Sequence, residues 1–467
     1  MTESVSLPVW MVILGGILAF WALLHILILP SIRWFFRRRT KKVISKVERY
    51  LDLRLPDFKL TKRREIINRL VYDTKVQEAL DVHTKEQDIS RADALKKVKK
   101  YANEIVPSFN ALIYFRFGNW MSRTICRMLY RVRVGFVDEE GFTKVDPDSS
   151  VVLIMNHRSN MDYILIGYLT ISRIALSFAV GEWARVWPLQ QLLRALGGFF
   201  VRRGSGNPLY RRVLERYIQM ATEGGVVQAV FPEGKLSKDG RLGRPKIGIL
   251  DYMLRTFDPE KGRDLVFLPV GINYDRVLED RSSLLALDPA AGKKKRADVI
   301  KTASLYLLKT IRLRLRRGWH RYGYAVVNFG TPISMRMYAK EHRLDFPRLI
   351  KEDRIHQVDT LAQDLMGAVG RAVPVVPVAL IASVFLEDTH RCFSELELKS
   401  AVQNKIDQLE EHKAFVYIPR SDHDYAIEVG LRTLILRHIV LEEDDLYRAA
   451  PGETKILQYY ANSIAHL

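Results

Sequence analysis

Residues Leu7 to Leu29 (LPVWMVILGGILAFWALLHILIL) contain no Lys, Arg, Asp or Glu. As an α-helix rising about 1.5 Å per residue, such a run spans the roughly 30 Å hydrocarbon core of a bilayer. One transmembrane helix is expected. A cleaved signal peptide would instead need a basic segment before the run and a small-residue cleavage site after it. Met1 to Ser6 carry no Lys or Arg, and no such site follows. Arg33, Arg37, Arg38, Arg39, Lys41 and Lys42 crowd the far end, with Trp34, Phe35 and Phe36 among them. Basic residues mark the cytoplasmic side and aromatic rings anchor at the interface, so everything from about residue 40 onward is expected in the cytosol.

Across the 467 residues, 73 Lys and Arg outnumber 53 Asp and Glu, a formal charge of +20. That favours nucleic acid, anionic lipid or phosphate-rich small molecules. The neighbouring membrane makes anionic lipids the expected partner, and no RNP, zinc-finger or comparable signature supports nucleic acid. Two cysteines, Cys126 and Cys392, are too few for a disulfide scaffold and lack CxxC spacing, so neither disulfides nor a structural zinc site are expected.

Four stretches follow from the pattern. Residues 1–42 hold the membrane helix and its basic flank. Residues 43–133 read as a helical preface: Ser90 and Asp93 suggest a capped start, and Leu95, Val98, Ala102 and Ile105 recur at helical spacing. Tyr114 to Val132 reads as a further helix, either a core face or an amphipathic stripe on the bilayer, with the core face preferred. Residues 134–390 change to short apolar runs, VVLIM (151–155), VVQAVF (226–231), LVFLPVGI (265–272) and YAVVNF (324–329), separated by helical stretches. That is an α/β domain. Val373 to Phe385 is too short to span a membrane and carries Pro374 and Pro377, so it is expected to form a strand and helix of the same core. Residues 391–467 read as a helical C-terminal region with little chemistry of its own.

After the first core strand comes Asn156-His157-Arg158-Ser159-Asn160-Met161-Asp162, an HxxxxD arrangement at a strand-to-helix turn. A carboxylate there can hold one imidazole nitrogen and leave the other free to take a proton from an alcohol. Alone, the pair reads better as a capping Asp beside a structural His. It does not stand alone. GGFFVRR (197–203), a strand ending in FPEG (231–234) and LPVGINY (268–274) follow in order.

This ordered set resembles the four sequence blocks of the glycerophospholipid acyltransferase family. GSGNPLYRRVLERYI (204–218), DGRLGRPKIGIL (239–250), VVNFGTPIS (326–334) and VPVVPVALIASVFL (373–386) are similar to its bacterial glycerol-3-phosphate acyltransferase branch, as is RADALKKVKKYANEIVPSF in the preface. The resemblance implies a central mixed sheet flanked by helices. It implies an enzyme of the inner (cytoplasmic) membrane that moves a fatty acyl group from acyl-CoA or acyl carrier protein to the sn-1 hydroxyl of glycerol 3-phosphate, giving lysophosphatidic acid. No cofactor or metal is implied.

Residue by residue, the resemblance makes His157 the general base and Asp162 the group that orients it, with direct attack on the thioester and no acyl-enzyme. The tetrahedral oxyanion would be held by backbone N–H groups or helix N-terminal charge. Arg203, helped by Arg202, would grip the acceptor phosphate, and Glu233, Gly234 and Ser237 would shape the acceptor site. Arg241 and Lys246 are further phosphate contacts, and Pro269 shapes the fourth block. Two features depart from the pattern. Leu236 stands where an Arg usually follows the Glu-Gly-x of the third block, which leaves lysophosphatidic acid or dihydroxyacetone phosphate open as acceptors. Larger members also continue beyond the segment that YYANSIAHL (459–467) resembles. Other classes fare worse. A serine hydrolase would need a GxSxG elbow and a metal hydrolase an HExxH-like set, both absent. A membrane-tethered lipid-binding protein without catalysis remains the alternative of a different class.

Overall fold

The computed structural model describes residues 56–171, 174–202, 204–287 and 321–467. The expected membrane helix, its basic flank and Arg203 lie outside the described residues. Among the described residues no helix is long and apolar enough to cross a membrane.

The preface folds as α1 (Arg63–Val71), α2 (Thr74–Glu86) and α3 (Arg91–Ile105). Ser90 caps α3 as its sequence predicts, its side chain accepting the Asp93 N–H. A π-helical turn, Ile113–Gly118, runs into α4 (Asn119–Leu129). The predicted helix to Val132 is thus three residues too long. The alternating RVRVGFV instead forms β1 (Arg131–Val137), whose Arg131 to Val134 pair with Tyr324 to Val327, so the sheet also starts before the expected boundary at 134.

The sheet continues through β2 (Ser150–Met155), α5 (Met161–Thr170), β3 (Ser177–Val180), β4 (Gly198–Phe200), α6 (Pro208–Glu223), β5 (Gln228–Val230) and α7 (Gly248–Leu254). It closes with β6 (Leu265–Tyr274), β7 (Tyr324–Phe329) and β8 (Ile333–Ser334). Among the described residues these strands make an eight-stranded mixed sheet in the order β1-β7-β6-β2-β5-β3-β4, with β8 on β6. β6, β2, β5, β3 and β4 run parallel, whereas β7 and β8 are antiparallel to β6. All ten residues of β6 are buried, as a strand covered on both faces requires.

Helices cover those faces. Val152 and Ile154 of β2 point into a core with the preface helices, α6, α7 and α8 (Lys351–Ala372). Leu153 and Met155 point the other way, toward α9 (Pro377–Glu387) and the rest of the C-terminal chain. This is the two-residue period of a strand acting as a partition. Gly271 is required where α8 ends: a Cβ there would run into the backbone of Ala372.

Val373 to Phe385 contributes α9 but no strand of the sheet; Val375 makes only an isolated bridge to Val416. The C-terminal region is not purely helical. Phe393–Ser394 (β9) precedes α10 (Glu395–Glu411) and α11 (His423–Ile435), and β10 (Val440–Glu443) and β11 (Leu446–Ala449) complete a three-stranded antiparallel sheet before α12 (Thr454–Ala461). These strands are too short to carry an alternation readable in sequence. Tyr459 and Tyr460 of α12 are fully buried in the same core as β2 and β6, so this region is a wall of the domain.

Candidate active site

Parallel strands present their carboxyl ends to one edge of a sheet, and the turn after β2 emerges there, beside the ends of β5 and β6. Asn156 fixes its path. Its Nδ2 donates to the Ile272 carbonyl at 2.9 Å and its Oδ1 accepts the Ile272 N–H at 2.8 Å, so the side chain extends the β2–β6 ladder past Met155.

His157 follows, 4% exposed, with Nδ1 2.9 Å from Oδ2 of Asp162, which is fully buried in the first turn of α5. The same carboxylate accepts N–H bonds from Arg158 at 2.8 Å and Ser159 at 3.0 Å, and the Tyr274 hydroxyl donates to its other oxygen at 2.7 Å. With Oδ2 of Asp162 already accepting two backbone N–H groups, Nδ1 of His157 is placed to donate to it, and Nε2 is the nitrogen able to take a proton. Phe231 stacks on the imidazole at 4.0 Å between ring centroids and Tyr163 meets it edge-on at 5.6 Å, which fixes the ring plane.

Glu233 supports this turn from below. Its two oxygens accept the His157 N–H at 2.8 Å and the Gly243 N–H at 2.9 Å. Burial raises its pKa, opposed by those two hydrogen bonds and by the charges of His157 and Arg158. Ser237 is spent similarly: its N–H donates to the His157 carbonyl at 2.9 Å and its hydroxyl to the Arg241 carbonyl at 2.8 Å. Half-buried Glu279 accepts from the Ser159 hydroxyl at 2.7 Å and from Asn160. Every N–H from His157 to Met161 therefore already has an acceptor, the last being the Ser159 hydroxyl. These five N–H groups of the turn are thus not free for an oxyanion.

His157 lines a cavity of about 310 Å³ together with Arg202, Arg211, Gly234 and Lys246. Among the described residues no carboxylate lines it, so the charged groups an entering anion meets there are cations. Of the expected contacts, Arg202, Gly234 and Lys246 thus join His157 at one cavity, while Glu233, Ser237 and Arg241 stand outside its lining. Gly234 adopts φ +67, a conformation that favours glycine, and brings its backbone to the cavity wall. Arg211, on α6, lies inside GSGNPLYRRVLERYI, but nothing in its spacing singled it out.

Arg202 does not wave freely. Glu104, at the last turn of α3, accepts from its Nε at 2.7 Å and Nη2 at 2.6 Å and also pairs with Arg185. Tyr101 and Tyr210 hold the guanidinium at 5.2 and 5.0 Å from their ring centroids. The fork is preset. Beyond Tyr163 and Val180, which line both spaces, lies a second cavity of about 290 Å³. Its walls include Gly118, Met121, Gly167, Phe178, Leu189 and Leu192 and are almost wholly apolar.

The family model described as Acyltransferase matches residues 136–273, which include His157, Asp162, Arg202 and Glu233. The one described as Glycerol-3-phosphate acyltransferase C-terminal region matches residues 305–467. Both agree with the resemblance carried by the motifs. The chain is 28% identical over 428 residues to the glycerol-3-phosphate acyltransferase of Alteromonas mediterranea, covering 87% of this chain and 50% of that protein. It is 26% identical over 451 residues to that of Xanthomonas axonopodis pv. citri, covering 93% and 48%. The chain thus spans about half the length of the curated relatives it matches. Among solved structures, the 1-acyl-sn-glycerophosphate acyltransferase of Thermotoga maritima gives a TM-score of 0.31 at 18% identity, over 58% of this chain and 81% of that one, too slight a likeness to bear on fold or site.

Proposed function

We propose that this chain transfers a fatty acyl group from a thioester, acyl-CoA or acyl carrier protein, to the sn-1 hydroxyl of glycerol 3-phosphate, giving lysophosphatidic acid. The observation that carries the reading is a His157–Asp162 pair opening on a cavity whose charged lining is Arg202, Arg211 and Lys246, next to an apolar cavity. The cations suit a phosphate dianion and the apolar space suits an acyl chain. The two adjoin at Tyr163, beside the imidazole. The relatives' names and the two family matches support the same acceptor.

In this mechanism Nε2 of His157 takes the proton of the acceptor hydroxyl as its oxygen attacks the thioester carbonyl. Asp162 stabilises the imidazolium so formed and holds its plane. The tetrahedral intermediate collapses by breaking the C–S bond, and the proton on Nε2 goes to the leaving thiolate. With the turn's N–H groups spent, the developing oxyanion relies on the N-terminal charge of α5 and on the cavity's cations. Arg203 keeps its proposed place on the acceptor phosphate beside Arg202. No cofactor takes part. The proposed location is the inner membrane, with Leu7 to Leu29 as a single span, the catalytic domain in the cytoplasm and anionic lipids as neighbours.

The test is thiol release from palmitoyl-CoA and from palmitoyl-acyl carrier protein by the detergent-purified chain. Glycerol 3-phosphate, lysophosphatidic acid, dihydroxyacetone phosphate and water are supplied in turn as acceptors. Release that depends on glycerol 3-phosphate is expected. Dependence on another acceptor would move the substrate, and release into water alone, or none, would overturn the transferase reading.

A further inference from the structure

From residue 106 to residue 137 the chain carries five arginines and neither a carboxylate nor a lysine. Much of this stretch is the π-helical turn Ile113–Gly118 and α4, whose inner side is buried through Tyr114, Phe115, Gly118, Ser122 and Cys126. Its outer side has a different composition. Arg116, Trp120, Arg123 and Arg127 fall at helical spacing along one exposed stripe, with Phe117 beside them. Trp120 is 63% exposed and Phe117 43%, their rings 5.9 Å apart between centroids. Water is a poor neighbour for two adjacent large aromatic rings, and a stripe of exposed arginines repels any cationic surface. Aromatic rings flanked by arginines, with the polar tips outward, match the chemistry of a bilayer's headgroup region.

A second observation bears on the same face. Gly118, Met121 and Ser122 form one wall of the 290 Å³ apolar cavity. Leu189, Leu192 and Leu193 of helix Leu189–Ala195 line it as well, and the residue two places before that helix, Trp187, is 78% exposed. An exposed tryptophan thus lies on or beside each of these two lining segments.

We propose that the outer face of Ile113–Leu129 rests on an anionic lipid bilayer, with Phe117 and Trp120 among the headgroups and Arg116, Arg123 and Arg127 against lipid phosphates. The apolar cavity then lies behind this helix, on the side turned away from the headgroups. This deepens the membrane partner proposed above by naming the face that meets it. The core face expected for this helix is its buried inner side, and the stripe weighed as the alternative is the exposed outer side that this proposal sets on the bilayer.

The experiment uses the full chain with Cys392→Ser, which removes the exposed cysteine and leaves Cys126 buried. A single cysteine replaces Trp120, or exposed Thr124 in a second variant, and each is labelled with an environment-sensitive fluorophore. Leu396, 78% exposed on α10, serves as the control site. The protein is reconstituted into vesicles of phosphatidylcholine with 30% phosphatidylglycerol containing headgroup spin-labelled lipid. Quenching at residues 120 and 124 is expected to exceed that at 396 at least twofold, and to fall by half or more when Arg116, Arg123 and Arg127 are together replaced by Gln. Equal quenching at 120, 124 and 396 in vesicle-bound protein overturns the proposed face alone. Unchanged quenching in the triple variant overturns the role of the arginines. Failure of the protein to float with vesicles at all overturns the membrane partner itself.

Discussion

Asp162 accepts from the imidazole, two backbone N–H groups and the Tyr274 hydroxyl. Removing one of these bonds weakens the support of the imidazolium in the transition state. Tyr274→Phe should lower kcat about tenfold, roughly the 1.4 kcal/mol that one hydrogen bond to a charged group contributes. An unchanged kcat would show that Tyr274 only packs. Glu104 acts at one remove, through the fork of Arg202. Glu104→Ala should raise KM for glycerol 3-phosphate about tenfold with kcat within twofold, and Glu104→Asp should recover part of that; initial-rate kinetics give the split. His157, Asp162 and Arg202 were legible because block order sets them in context. Tyr274, Glu104, Glu279 and Arg211 were not. Tyr274 meets Asp162 across 112 positions and Glu104 meets Arg202 across 98, and no local spacing encodes such pairs.

At the scale of elements, the sheet was readable where strands are long and buried. VVLIM, LVFLPVGI and YAVVNF all became strands, and of VVQAVF only Gln228–Val230 did. The start of β1 was missed because its arginines continue the helical stripe before it. One junction between elements carries a pH signature. Asp275 ends the buried run after β6, and its oxygens accept from the N–H groups of Tyr324 at 2.7 Å and of Val378, near the start of α9, at 3.2 Å. Burial pushes its pKa from 3.8 up to about 7, against those hydrogen bonds. A carboxyl that holds its proton more tightly when folded stabilises the fold fully below pH 3.8. That contribution is lost as pH rises through about 7. Melting temperature should therefore decline between roughly pH 4 and 7 through this group, and Asp275→Asn should flatten that slope. A slope identical in the two proteins would contradict it.

For the whole molecule, the C-terminal residues are structural walls of the catalytic domain. Arg437 of this region donates to Asp280 at 2.6 Å and to Tyr460 at 2.7 Å, and Tyr460 also donates to Asp280, all of them buried or nearly so. Arg437→Ala would leave the Asp280 charge uncompensated and should cost about 3–5 kcal/mol, seen as a lower urea midpoint. A shift under 1 kcal/mol would mean the network is slack. Gly240 shows how closely the wall fits: at φ +91, it has the Tyr459 carbonyl where a Cβ would sit. Sequence showed this region only as charged helices, because its partners lie more than 150 residues away. The site it encloses depends on one nitrogen, Nε2 of His157. The most direct test is to quantify lysophosphatidic acid formed from palmitoyl-CoA and glycerol 3-phosphate by the wild-type chain and by His157→Ala, with their melting temperatures. Product formation falling about 10²–10⁴-fold at an unchanged melting temperature is expected of a lost general base. A variant as fast as the wild type would contradict it.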